Sequence, residues 1–188
     1  IIVGADFPDS GLAFANRNLG FTDLLIVIAA AIFAGDAIAG EFENKTGLLL
    51  FPTPQRRTTI FLGKYIAAII PVILTVAVYY LVMVGSISVI YGFGDVPMEL
   101  VYSFLIAMVY SFSIVSMIYL FSSFMKRSIS SSLVGFFLVM MILPIISMIL
   151  NASDIEPWFI VTYSGDLITT VLEYKAETQA FGPGAGMA

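Results

Sequence analysis

GEFENKTGLLLFPTPQRRTTIFLGK, residues Gly40 to Lys64, lies between two segments apolar enough to cross a bilayer, and its reading decides the fold. Glu41 and Lys45 stand at helical i, i+4 spacing with the acid first, a pairing that supports a helix. Leu48 to Phe51 form an apolar patch too short to cross a membrane, so this half predicts a short helix lying on the membrane surface. Pro52 and Pro54 stop that helix, because proline lacks a backbone N–H and biases the residue before it towards an extended conformation. Gln55, Arg56 and Arg57 follow in a polar turn, and the chain re-enters the apolar phase at about Ile60.

The same stretch has a register of its own. Glu41 is followed after five residues by Thr46, after eight more by Pro54, after three by Arg57 and after seven by Lys64, which Gly63 precedes. This pattern resembles, without a gap, the loop between the second and third membrane helices of type-2 ABC exporter permeases. It departs from the family's usual form at Lys45, where a glycine often precedes the threonine, and at the extra Pro52. The resemblance implies the membrane subunit of an ATP-driven exporter, working as a dimer with a second copy or a homologue. Separate cytoplasmic ABC ATPase subunits would bind ATP and Mg and dock on the inner loops, so no cofactor is expected in this chain. Glu41, Glu43, Thr46, Pro54, Arg56, Arg57 and Lys64 are then the candidate coupling residues. Physical reasoning agrees with that role: a connector that transmits a push should be stiff, anchored at the membrane surface, and charged where it meets a partner.

Composition sets the class. Of 188 residues, 60% are hydrophobic and 11% charged, against a charged fraction of about 25% in soluble domains, and the mean hydropathy is +1.01. The chain reads as a multi-pass protein of the cell membrane, in contact with the lipid bilayer. A net charge of −5 with few basic residues offers nothing to nucleic acid. Cysteine and histidine are both absent, which removes Ser–His and Cys–His catalysis and the usual soft metal sites. No catalytic or metal site is expected, and the chain is read as non-catalytic. Gly63–Lys64 is not part of a phosphate loop, since Thr58 and Tyr65 occupy the positions that need glycine and a serine or threonine.

Hydropathy predicts an all-α polytopic helix bundle with four spans in a single domain over residues 1–188: about 22–39, 60–84, 99–124 and 129–150, with the connector at 40–59, an outer turn between Gly85 and Pro97, and an interfacial segment at 151–175 carrying short helices at about Glu156–Thr162 and Asp166–Tyr174. Residues 1–20 are broken by glycines and Pro8 and read as a loop. Thr22 or Asp23 is placed to cap the first span. Ala31, Gly35 and Ala39 repeat at four-residue spacing, a ridge of small residues on which another helix can pack closely. Asp36 reads as a hydrated acid near the helix end and Lys64 as a snorkelling cation. Pro71 and Pro144 predict kinks. Ser103, Ala107 and Ser111 form a second small-residue ridge.

Lys45, Arg56, Arg57, Lys64, Lys126 and Arg127, six of the eight basic residues, fall in or beside the two connectors that share one side, which the positive-inside rule assigns to the cytoplasm. Both ends of the chain then lie outside. The resemblance accounts for this if the chain carries helices two to five of an incomplete six-helix subunit. The competing class is a secondary transporter or a non-transporting membrane scaffold; a secondary transporter would place ionisable residues or broken helices near the bilayer midplane.

Overall fold

The computed structural model describes residues 11–45, 56–92, 98–153, 165 and 167–170, and among them all regular structure is helical. The helices are α1 (Gly11–Leu19), α2 (Thr22–Glu43), α3 (Arg57–Ile90), α4 (Glu99–Ser122), α5 (Ser128–Phe137), a π-helical turn at Leu138–Ile142, and α6 (Leu143–Ala152). Among the described residues, four stretches are long and apolar enough to cross a membrane: Phe14–Glu43, Arg57–Ile90, Glu99–Ser122 and Ser128–Ala152. Helices suit this composition because lipid offers no partner to a free N–H or C=O. The chain is an all-α polytopic membrane helix bundle.

α2 is the centre of the bundle, and α3, α4 and α5 all pack on it. α2 and α4 run parallel with a constant offset: the Tyr110 hydroxyl donates to the Asp23 carboxylate, and twelve residues further along both helices Ser122 Oγ donates to the Gly35 carbonyl at 2.8 Å. α3 runs antiparallel to both. Its Tyr80 hydroxyl meets Ser103 Oγ at 2.8 Å, and the Phe61 carbonyl accepts from the Tyr119 hydroxyl at 2.8 Å. Between these polar ties the seam is filled by small and branched residues, with Ala30, Ala34, Val72, Val76, Ala107 and Ile114 fully buried. Small side chains bring backbones close, and that close packing replaces the hydrophobic drive that lipid does not supply.

Several local expectations are corrected. The stretch read as a loop contains α1, whose Ala15 and Leu19 are buried; Tyr79 of α3 donates to the Asn18 carbonyl at 2.6 Å, tying α1 to the bundle. The cap expected from Thr22 or Asp23 is not made, since Phe21 holds the capping position without a side-chain bond and Asp23 serves Tyr110 instead. α3 continues to Ile90 through a stretch expected to turn, with Ser86 and Ser88 returning their hydroxyls to carbonyls four residues back. At 34 residues it is about 51 Å long, well beyond a core near 30 Å.

Around Pro144 the departure from regularity is a π turn that ends just before it. The proline ring crowds the carbonyl of Met140, four residues back, and one extra residue in the turn accommodates it. Pro71 lies inside a helix that continues through it, and Thr75 Oγ1 donates back to the Pro71 carbonyl at 2.8 Å. The surface helix expected at Leu48 to Phe51, the prolines after it, and the interfacial helix expected at about Glu156 to Thr162 lie outside the described residues. Of the second interfacial helix, residues 167–170 are helical, and Ile168 is buried with its carbonyl accepting from Ser103 Oγ at 2.9 Å.

Candidate coupling site at the basic end

α2 ends on acids. Glu41 and Glu43 occupy its last turn, where the negative end of the helix dipole disfavours them. Each is answered by another element. Lys64, two turns into α3, forms an ion pair with Glu41 and also donates to the Ala37 carbonyl at 2.8 Å. The lysine expected to snorkel instead holds the end of a neighbouring helix. Both side chains of the pair are only about a quarter exposed (22% for Lys64 and 24% for Glu41), so water screens it less than a surface pair.

Glu43 does the corresponding work for α5. The residue before α5, Arg127, makes no side-chain cap bond, and the Glu43 carboxylate accepts the Ser128 N–H at 2.8 Å in its place. Asp36 accepts from the Ser128 hydroxyl as well. Two acids of α2 therefore meet the N-terminus of α5, where the dipole favours negative charge. The acid read as merely hydrated belongs to this cap.

Ser122 closes the third side. Its buried hydroxyl donates to Gly35 and receives the Ala39 N–H at 3.1 Å, joining the end of α4 to α2. Next to it, a β-carbon on Gly35 would stand 2.7 Å from Ser132 Cα, so α2 and α5 touch backbone to backbone. Ala31, Gly35 and Ala39 are all buried, and Gly35 and Ala39 face neighbours within the same subunit. Last, Lys45 ends α2 in the left-handed region at φ 56°, the conformation in which glycine commonly ends a helix.

Glu41, Arg57 and Lys64 come together around a recess of about 230 Å³ walled by Ile38, Phe42, Ile60 and Phe61. Glu43 sits apart, at α5. Arg56 is exposed at the start of α3, while Thr46 and Pro54 lie outside the described residues. Sequence reasoning missed the partner roles of Ser122, Ser128 and Ser132. Their only signal was the run of small hydroxyl residues at the ends of spans three and four, which reads equally as ordinary helix contact. At the opposite end of the bundle it also missed the polar ties of Asp23 with Tyr110, Asn18 with Tyr79, and Ser103 with both Tyr80 and Ile168.

No curated protein and no solved structure matches the chain significantly. A family model described as ABC-2 family transporter protein matches residues 5–158. That match covers the four spans and the basic end, and the chain belongs to the ABC-2 transporter family as a membrane permease component of an ABC transporter.

Proposed function

We propose that the chain is the permease subunit of an ATP-driven exporter in the cell membrane, that two such subunits form the path, and that the connector of residues 40–59 receives the push of a cytoplasmic ATPase that binds ATP and Mg. The observation that carries this reading is the way the end of α2 is tied. Lys64 joins it to α3, Ser122 joins it to α4, and Asp36 and Glu43 join it to α5. A force on a connector that leaves this end reaches every span through short polar contacts. The dimer reading draws on span four, of which 11% of the apolar window is buried against 33–44% in the others, so among the described residues it offers the most exposed face to a second copy.

The ties also select the test. Charge reversal at Glu41 and Glu43 would break the internal contacts along with any external ones. Arg56 is exposed and has no ion-pair partner among the described residues, so Arg56→Glu leaves the bundle intact while opposing an acidic docking surface. The variant should insert and melt at the parental temperature, yet retain about tenfold less copurifying ATPase. Parental ATPase stoichiometry together with parental coupled hydrolysis would remove the connector from the mechanism.

A further inference from the structure

The recess between the end of α2 and the start of α3 has a composition that the coupling role does not require. Its walls are mainly apolar, formed by Ile38, Phe42, Ile60 and Phe61 with Ser123 as the one uncharged polar residue, and its charged rim carries Arg57 and Lys64 against Glu41. Glu41 is already neutralised by Lys64, so among the described residues the rim keeps one positive charge without an ion-pair partner, that of Arg57. Lys64 has spent two of its three donors, on Glu41 and Ala37, and an ammonium has a third to give. From Ile60 an exposed apolar ridge leads along the same side of α3 through Ala67 and Leu74, at the seven-residue spacing that returns to one face of a helix. Cation at the mouth, apolar floor and apolar track beyond is the arrangement of charges and carbon in one kind of molecule.

We propose that this recess binds an anionic phospholipid, with the headgroup phosphate at Arg57 and the third Lys64 donor, the glycerol and upper acyl carbons against Ile60 and Phe61, and a chain along the α3 ridge. A net anionic headgroup is selected because its charge matches the unpaired guanidinium, and phosphate suits the planar fork of arginine. An acidic peptide would match the charge, but its backbone N–H groups would face four apolar side chains, with only Ser123 and the already paired Glu41 among the lining residues to accept them. The proposal stands independently of any ATPase.

Native mass spectrometry and thermal melting of the purified chain in neutral detergent test it, using phosphatidylglycerol, phosphatidylcholine and inorganic phosphate as separate probes. Phosphatidylglycerol should be retained about fivefold over phosphatidylcholine and should raise the melting temperature, while inorganic phosphate does neither. Arg57→Gln should erase that preference. Ile60→Trp, which fills the recess and keeps every charge, should reduce retention of both lipids. Equal retention of the two lipids overturns the proposal, as does an unchanged preference in Arg57→Gln. If inorganic phosphate stabilises as well as phosphatidylglycerol, the site takes a free anion and the lipid reading is wrong. If an acidic peptide displaces phosphatidylglycerol in a competition titration while phosphatidylcholine does not, the recess is a protein-docking site instead. Should Arg57→Gln not fold, Ile60→Trp alone decides: parental retention in that variant also overturns the proposal.

Discussion

Gly35 within α2 and Lys45, two residues beyond its end, show how the backbone sets the tolerance of a position. A β-carbon at Gly35 would stand 2.7 Å from Ser132 Cα, a backbone atom that cannot rotate away. Gly35→Ala should therefore push α2 and α5 apart and cost about 1–3 kcal/mol, the usual range for overpacking, visible as a lower melting temperature in detergent. A parental melt would mean that α5 is not seated on α2. Lys45 is the opposite case. It holds φ at 56°, where a side chain is strained and glycine is not. Lys45→Gly should gain roughly 0.5–1 kcal/mol after glycine's greater chain entropy is set against the relieved strain. A destabilised variant would show that the Lys45 side chain contributes more than its backbone conformation costs. The ridge of Ala31, Gly35 and Ala39 was legible in the sequence because i, i+4 spacing is local. Its partner Ser132 was not, because the register between two helices is set by packing along their whole length, and no single residue states it.

At the scale of elements, hydropathy located the spans and missed their ends. α3 exceeds its expected range at both termini; at the C-terminal one, Ser86 and Ser88 are polar in composition yet satisfy themselves inside a helix. α1 was hidden because Gly11 and the polar run Asn16, Arg17 and Asn18 outweigh Phe14, Ala15 and Leu19, the few residues that hold it to the bundle. The Glu41 and Lys64 tie between α2 and α3 was invisible for a different reason: each charge has a sufficient explanation alone, as a helix-end acid and as a snorkelling base. Their interdependence predicts an asymmetry. Lys64→Met deprives both Glu41 and the Ala37 carbonyl of a partner, whereas Glu41→Gln leaves Lys64 its carbonyl and an amide to meet. The lysine variant should lose about 1–2 kcal/mol more than the glutamine variant. Thermal melts of the two singles and the double complete the cycle; equal losses would mean that the bond to Ala37 contributes nothing.

For the whole molecule, the arrangement of ties implies a direction. Asp36, Glu41, Glu43, Lys64, Ser122 and Ser128 cluster at one end of the bundle, and the exposed cations Arg56, Arg57, Lys126 and Arg127 are at that same end. The positive-inside bias assigns such an end to the cytoplasm, which is also the only side on which an ATPase can reach the connector. The chain has no cysteine, so single cysteines report topology without background. Lys126→Cys and Thr53→Cys should be shielded from a membrane-impermeant thiol reagent in intact cells and react after permeabilisation, whereas Gly94→Cys and Ser153→Cys should react in both. Lys126 and Ser153 are exposed, so shielding at the first and labelling at the second would come from the membrane. Lys126 is preferable to Ser128 as a probe, because a cysteine at Ser128 would disturb the hydroxyl that Asp36 accepts. The reverse labelling pattern would put the connector on the outer face, beyond reach of ATP. It would leave the family membership intact and remove the coupling role from Glu41 to Arg57.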